Sequence, residues 1–365
     1  MGRNRLLKGT DFLHFYTLGS LAVEHRGAEL YDMAAQSELG EHRVPQAPRT
    51  AFVALYGPQV SLLFAPLAAL PYGVALTLWL GANAVLYAWC CYAIWKRCPN
   101  LHSDGSLVFL LALAYPAFFH LLVWGQSSGL ALLCFTSAYL ALRADKKFLA
   151  GLAIGCLMVK PQLGLAASFV FVATGQWRVV FGATASALAS LLIGWLYYGT
   201  GVLRSYLSHL QQIREIIPLL EPRLYQMHSL RAFWSMLLPW QPVAFWFYAV
   251  SAVLALSLTL LCWRTHASLA LKFAALLIAT VLVSPHLTVY DLVILAPAFL
   301  LLTDWAQGEW SIAPWMGPLL YLCYVLPLAG PLARWTHVQF SVLAMAALLW
   351  VLFRSATGGH GEATT

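Results

Sequence analysis

The sequence predicts an all-α protein, a polytopic transmembrane helical bundle of about ten or eleven membrane helices with additional re-entrant and interfacial short helices. Three observations carry this prediction. The chain of 365 residues is 61% hydrophobic and only 10% charged, with a mean hydropathy of +0.73, whereas a soluble domain carries roughly 25% charged residues. Its apolar residues fall in runs of about 16 to 25, the length that crosses a bilayer as helix, separated by short polar punctuation. No ten-residue alternation of the kind that builds an outer-membrane barrel is visible. Disorder, collagen-like repeats and a disulfide-stapled secreted domain are excluded by the same composition.

The first 50 residues hold no long apolar run, yet contain Asp11, Glu24, Glu29, Asp32, Glu38 and Glu41, six of the 14 acidic residues of the chain. A polar segment so rich in carboxylates, on a chain otherwise nearly free of them, is a candidate functional loop. A shorter apolar piece from Val53 to Leu70, broken by Pro58 and Pro66, reads as re-entrant or interfacial. Spans then follow at about 72–95, 105–123, 127–142, 148–175, 178–198, 242–263, 269–284, 288–304, 312–330 and 337–353. The run 148–175 carries Lys160-Pro161 at its middle. At about 1.5 Å per residue it overfills a hydrocarbon core of about 30 Å, so two short helices meeting at Lys160 are expected. Residues 1–355 form a single domain, in which 1–71 supply an outer-face loop with interfacial helices and 199–241 a long outer loop. Residues 356–365, rich in Gly and Thr, read as a disordered tail.

Basic residues orient the helices. The formal net charge is +7 and the pI about 9.1, but the 21 Lys and Arg lie singly or in pairs at the ends of apolar runs. That is a topology signal, so a lipid bilayer and not nucleic acid is the expected partner. Lys96, Arg97, Arg143, Lys146, Lys147, Arg178, Arg264 and Arg354 share one side, read as cytoplasmic; the basic start Arg3, Arg5 and Lys8 and the loop residues Arg204, Arg214, Arg223 and Arg231, with Glu215 and Glu221, fall on the other. The other side also collects the acidic start, Trp124-Gly125-Gln126-Ser127-Ser128, Lys160-Pro161 and Ser284-Pro285-His286. The seven cysteines show no CxxC and no zinc spacing; they read as small buried hydrophobes, and no metal or cofactor is expected.

Several of these polar residues can carry chemistry. An ammonium within an apolar run, as at Lys160, costs roughly 2.5–3.5 kcal/mol on insertion scales; it requires an anionic ligand, a carboxylate partner such as Asp291, or a snorkelling path. Asp11, in Asp11-Phe12-Leu13-His14-Phe15-Tyr16, is either a general base facing a cavity, with its aromatic neighbours laid on the membrane surface, or a helix N-cap. Asp32 reads as a cap or turn residue. Gln126, Ser127 and Ser128 either face the cavity or cap the following helix. His228-Ser229-Leu230-Arg231, and Ser284-Pro285-His286 with Tyr290-Asp291, offer donors for phosphate or sugar groups, against an ordinary interfacial role for either His. A transporter or lipid-linked sugar flippase shares broken helices and intramembrane charges, but usually shows repeated halves and midplane sites, which this sequence lacks. A non-catalytic subunit of an envelope complex is a further alternative.

The order Asp11-Phe12-x-x-Phe15-Tyr16, Gly27-Ala28-Glu29-Leu30-Tyr31-Asp32, Tyr56-Gly57-Pro58 with Phe64-Ala65-Pro66, Trp79 and Asn83, Gly125-Gln126, Lys160-Pro161, and Ser284-Pro285-His286 with Tyr290-Asp291 resembles glycosyltransferase family 87 over nearly the whole chain. The resemblance implies a GT-C fold with a periplasm-facing active site in a bacterial inner membrane. It implies transfer of a hexose, typically mannose, from a polyprenyl-phosphate-linked sugar to a glycolipid or cell-envelope glycan with inversion, as in α-mannosyltransferases acting on phosphatidylinositol mannosides. By position it makes Asp11 the catalytic base, places Lys160, His228 and Arg231 on the donor phosphate, and assigns substrate contacts to Tyr16, Tyr56, Gln126, His286 and Asp291. It also implies a membrane helix ahead of the Asp11 motif, which the ten preceding residues do not contain, and an Asn-rich version of the loop that here reads Met227-His228-Ser229-Leu230.

Overall fold

A computed structural model describes residues 9–46, 52–53, 55–212, 223–308 and 314–358. Arg3, Arg5, Lys8, Arg214, Glu215, Glu221 and the tail beyond 358, on which sequence expectations were placed, lie outside the described residues. Among those described, all regular structure is helical. Among the described residues six helices are long and apolar enough to cross a membrane singly, and one bent pair of shorter helices passes the same test only when its two halves are taken together. Five apolar helices of 10–17 residues accompany them. The protein is therefore a multi-pass membrane bundle, in which several runs counted from sequence as full spans are short or broken helices.

The acidic start is helical. Helix α1 (Thr10–Val23) opens after Gly9, which sits in the left-handed region at φ 70°. Gly9 is clamped on both sides: its N–H donates to Val123 O at 3.3 Å, and Tyr72 Oη donates to its carbonyl at 3.0 Å. The aromatic residues of α1 do not lie on a membrane surface. Phe12 and Phe15 are wholly buried, where Phe15 stacks on Phe64 at 4.6 Å and Phe12 lies parallel to Trp79 at 6.2 Å. Their partners come from α3 (Gln59–Ala68) and α4 (Tyr72–Trp95). Gly19 allows the approach, since a Cβ there would meet Phe64 O at 2.6 Å. Asp32 caps α2 (Met33–Arg43) by accepting from the N–H groups of Ala34 and Ala35, as its position before that helix predicts.

The run 105–123 is two helices, α5 (Gly105–Leu113) and α6 (Pro116–Trp124), bent by 42°. Pro116 has no N–H to continue α5, and it holds Tyr115 at an extended ψ of 120°. Helix α6 stops at Gly125, again left-handed at φ 66°, and α7 (Ser128–Arg143) follows. The run 148–175 breaks where expected. Helix α8 (Lys147–Gly155) tightens into a three-ten turn at Cys156–Val159, Lys160 leaves the helical region at φ −139°, ψ 73°, and Pro161–Gly164 leads into α9 (Leu165–Ala173). Helix α8 lies against α10 (Trp177–Tyr198) through Gly151, Gly155 and Gly182, where any side chain would strike the facing backbone. Small residues let apolar helices approach closely in lipid, where dispersion contacts supply the attraction.

The loop 199–241 contains α11 (Thr200–Gln211) and α12 (Leu230–Leu237), and leads into α13 (Gln241–Arg264). Helix α14 (Leu269–Val283) is buried along nearly its whole length at the centre of the bundle. Beyond it, a three-ten helix at Val289–Leu295 continues into α15 (Ala296–Gly308), and α16 (Met316–Val325), α17 (Gly330–Thr336) and α18 (Phe340–Gly358) follow. Residues 356–358 thus belong to a helix and not to a tail. Helices α10 and α13 expose Phe181, Leu188, Leu196, Trp246 and Val253, the lipid-facing side of the bundle.

Chain direction separates two ends. At one end, Arg143 closes α7, Lys147 opens α8 and Arg264 closes α13; Asn100 N–H donates to Asp304 there at 2.8 Å, and Arg264 Nη2 reaches Ala173 O at 3.3 Å. The opposite end gathers Gly9, Gly125, Lys160 and Ser284. Of the seven cysteines, Cys90, Cys98, Cys262 and Cys323 are buried, Cys91 and Cys134 are half-buried, and Cys156 is exposed; all are free.

Candidate active site

Four backbone breaks converge at the polar end: the start of α1, the α6–α7 turn, the tip of the α8–α9 hairpin and the segment between α14 and α15. A helix cannot aim a side chain along its own axis, whereas a break can; these breaks deliver Asp11, then Gln126 with Ser128, then Lys160, then His286, Thr288, Tyr290 and Asp291. Gly125 matters most for the convergence, because a Cβ there would lie 2.8 Å from Cβ of Phe12. The absence of that Cβ lets the turn carrying Gln126 close onto the turn carrying Asp11.

Asp11 lies in the first turn of α1 but caps nothing; the N-cap position belongs to Gly9. Its Oδ2 accepts from Gln126 Nε2 at 2.7 Å. Burial holds the Asp11 carboxyl above its ordinary value, with the Gln126 hydrogen bond and the Lys160 charge pulling the other way. As a whole residue Asp11 is half-buried. Gln126 also donates to Tyr290 Oη at 3.1 Å, and its Oε1 accepts from Ser127 N–H at 3.1 Å. Side-chain capping of α7 by Ser127 does not occur.

Lys160 is 4% exposed and has a carboxylate partner: its Nζ donates to Asp291 Oδ1 at 2.7 Å and to Ser128 Oγ at 2.9 Å, and lies 5.0 Å from the Tyr290 ring centroid. Ser128 donates onward to the same Oδ1 at 2.6 Å. The other oxygen of Asp291 accepts from Thr288 N–H at 3.1 Å and Thr288 Oγ1 at 3.2 Å, capping the three-ten helix. The carboxylate therefore receives two donors on each oxygen, which is why an ion pair survives burial in an apolar bundle.

His228 is buried, and its Nδ1 shares a hydrogen bond of 2.7 Å with Ser341 Oγ; burial pushes it down to about 3, so it is neutral. Backbone pairing joins its strand-like segment to the next one, His228 N–H donating to Leu287 O at 3.1 Å. Arg231 Nε donates to Pro285 O, which brings the guanidinium beside the Ser284-Pro285-His286 turn. His286 is half-buried and pushed down to about 4, chiefly by burial, while it feels the charges of Asp291, Lys160, Arg231 and Asp11. Tyr56 is half-buried in the same field, its pKa raised by burial and then by Asp291 and Asp11. Tyr16 points elsewhere, its hydroxyl donating to Leu70 O at 2.8 Å at the edge of a mixed polar and apolar hollow with Arg43 and Tyr72.

Asp11, Tyr56, Gln126, Lys160, Arg231, His286 and Asp291 thus form one constellation, and Tyr16 and His228 stand outside it. Sequence reasoning missed Thr288 altogether, and it pointed to Ser128 and Tyr290 as polar neighbours without assigning either to the site. The signal for Tyr290 was its place beside Asp291 in a polar interruption of an apolar run; nothing in sequence marks Ser128 apart from Ser127. The arrangement offers a carboxylate for taking a proton, a guanidinium with a neutral imidazole for meeting an anion, and, among the described residues, no group of three or more metal-ligating side chains.

The model of glycosyltransferase family 87 matches residues 54–285, more than half of the chain. The chain belongs to glycosyltransferase family 87. It is a membrane glycosyltransferase, and membership answers the transporter and scaffold alternatives left open by composition. The matched stretch encloses Tyr56, Gln126, Lys160, His228 and Arg231; Asp11, His286 and Asp291 lie outside it and join the site through the contacts above. No curated protein matches the chain, and no solved structure does.

Proposed function

We propose that this family 87 enzyme, with the GT-C architecture, transfers a hexose, mannose in the first instance, from a polyprenyl-phosphate-linked donor to a hydroxyl of a glycolipid or cell-envelope glycan, with inversion, at the periplasmic face of a bacterial inner membrane. The observation that carries the reading is the half-buried Asp11 beside Gln126 and Tyr56, on the same end of the bundle as Arg231 and His286. Asp11 takes the proton of the acceptor hydroxyl as its oxygen attacks the anomeric carbon. The bond from that carbon to the phosphate oxygen breaks, the electron pair leaves with the phosphate, and the proton stays on Asp11. Because the leaving group departs as an anion, the larger demand is for fixed positive charge and donors around it. Arg231 and the neutral imidazole of His286 supply these. Lys160 acts at one remove, because Asp291 already balances its charge, and His228 supports the Arg231 segment from behind.

The test is transfer of radiolabelled mannose from polyprenyl-phosphate-mannose to a total lipid extract by membranes carrying wild type or Asp11→Asn. Label in lipid with wild type alone is the expected result. Equal labelling by the variant removes Asp11 from its role, and no labelling from well-inserted wild type across several polyprenyl-linked sugars overturns the donor.

A further inference from the structure

We propose that Gln126 is a positioning residue for the base: its amide holds the Asp11 carboxylate in one orientation and presents the other carboxylate oxygen to the acceptor hydroxyl, instead of binding sugar itself. The inference rests on the reading of Asp11 as the base.

The amide has no freedom to serve a ligand. Its oxygen is held by Ser127 N–H at 3.1 Å, which decides which end of the group is nitrogen. Both hydrogens of that nitrogen are then committed, one to Asp11 Oδ2 at 2.7 Å and one to Tyr290 Oη at 3.1 Å. The side chain is 6% exposed. The two residues are also braced through the backbone on either side of the contact. Gly9, before Asp11, donates to Val123 at the end of α6, and the carbonyl of Gly125, before Gln126, accepts from Trp79 Nε1 at 2.9 Å. A substrate contact would need none of this bracing; orienting a carboxylate to within a fraction of an ångström needs all of it. A donor aimed at one carboxylate oxygen leaves the lone pairs of the other as the acceptors of a proton, and it favours the charged form.

The experiment measures, in the full-length protein in membranes, how pH governs modification of Asp11 by dicyclohexylcarbodiimide, which reacts with the protonated carboxyl and needs no turnover. Gln126→Leu should move the midpoint of labelling up by about one pH unit, the scale of a lost charge-assisted hydrogen bond. The isosteric Gln126→Glu places a second carboxyl against the first, should move it further in the same direction, and carries the test if the leucine variant fails to insert. The acid limb of sugar transfer should follow the labelling midpoint in each variant, with kcat falling about tenfold at neutral pH and the acceptor KM within about twofold. An unchanged midpoint in both variants overturns the proposal, as does a change confined to KM, which would mark Gln126 as a sugar ligand. A shifted midpoint in a protein that transfers no sugar leaves the Asp11–Gln126 contact standing and withdraws the reaction assigned to it.

Discussion

The two carboxylates of the site differ in almost every physical respect. Asp291 is 1% exposed, receives donors from Lys160, Ser128 and Thr288, and ties the hairpin tip, α7 and the three-ten helix before α15 into one unit. Asp11 is partly exposed, held by Gln126, and belongs to a helix packed on the outside of that unit. A carboxylate with four donors is a poor proton acceptor, because each donor stabilises its anion. One tied by Gln126 and Thr10 alone, whose pKa burial raises, is a better one. Under the proposed function the contrast makes Asp11 the proton acceptor and Asp291 a structural group, although both are acidic residues next to aromatic ones in the sequence.

The comparison can be broken by mutation. The largest effect should come from Asp11→Asn, which should lower kcat by about 10²–10⁴-fold, the range of general base catalysis, while the melting temperature in detergent stays that of wild type. Lys160→Met should do the reverse of that pattern. It strands Asp291 in the bundle and should cost about 3–5 kcal/mol of stability, measured by denaturant titration in micelles. Adding Asp291→Leu should restore most of the loss, short of the roughly 1 kcal/mol contributed by the cap on the three-ten helix. A stable, inactive Lys160→Met would instead put the ammonium on the donor phosphate.

His286→Ala should reduce kcat by about 10²-fold, as removal of one donor from a developing anion does. Because burial pushes His286 down to about 4, it stays neutral from there upward, and the pH profile should show no inflection near the ordinary histidine value. The acid limb should belong to Asp11, with the rate rising as pH passes its raised value and the base ionises. The smallest effect is expected on the rim, where Glu24 bonds Arg43 at 2.5 Å and Arg26 at 3.1 Å with both partners about a third exposed. Glu24→Ala should cost under about 1 kcal/mol and less still in high salt.

Much of this fold was legible because lipid demands long apolar runs and punishes any break in them. The span at Tyr72–Trp95 and the split at Lys160-Pro161 were readable for that reason, since a proline and a lysine cannot continue an apolar helix at no cost. The kink at Pro116 was less visible: both halves are apolar, so the run 105–123 read as one span. The aromatic residues around Asp11 misled, because Phe12 and Phe15 have the same composition whether they face lipid headgroups or a protein core, and only the packing of α3, admitted by Gly19, and of α4 buries them. His228 looked like Arg231 and His286 in sequence, yet Ser341, more than a hundred residues away, takes its Nδ1.

By itself, then, the sequence determined that the chain crosses a membrane repeatedly, where its helices break, and which few polar residues stand where apolar ones belong, because these follow from transfer energies along the chain. Which of those residues pair was decided only by the tertiary structure. Lys160 and Asp291 neutralise one another because the tip of the α8–α9 hairpin meets the three-ten helix, Asp11 meets Gln126 because the glycine at 125 lets two turns close, and contacts between distant breaks leave no periodic trace in one dimension.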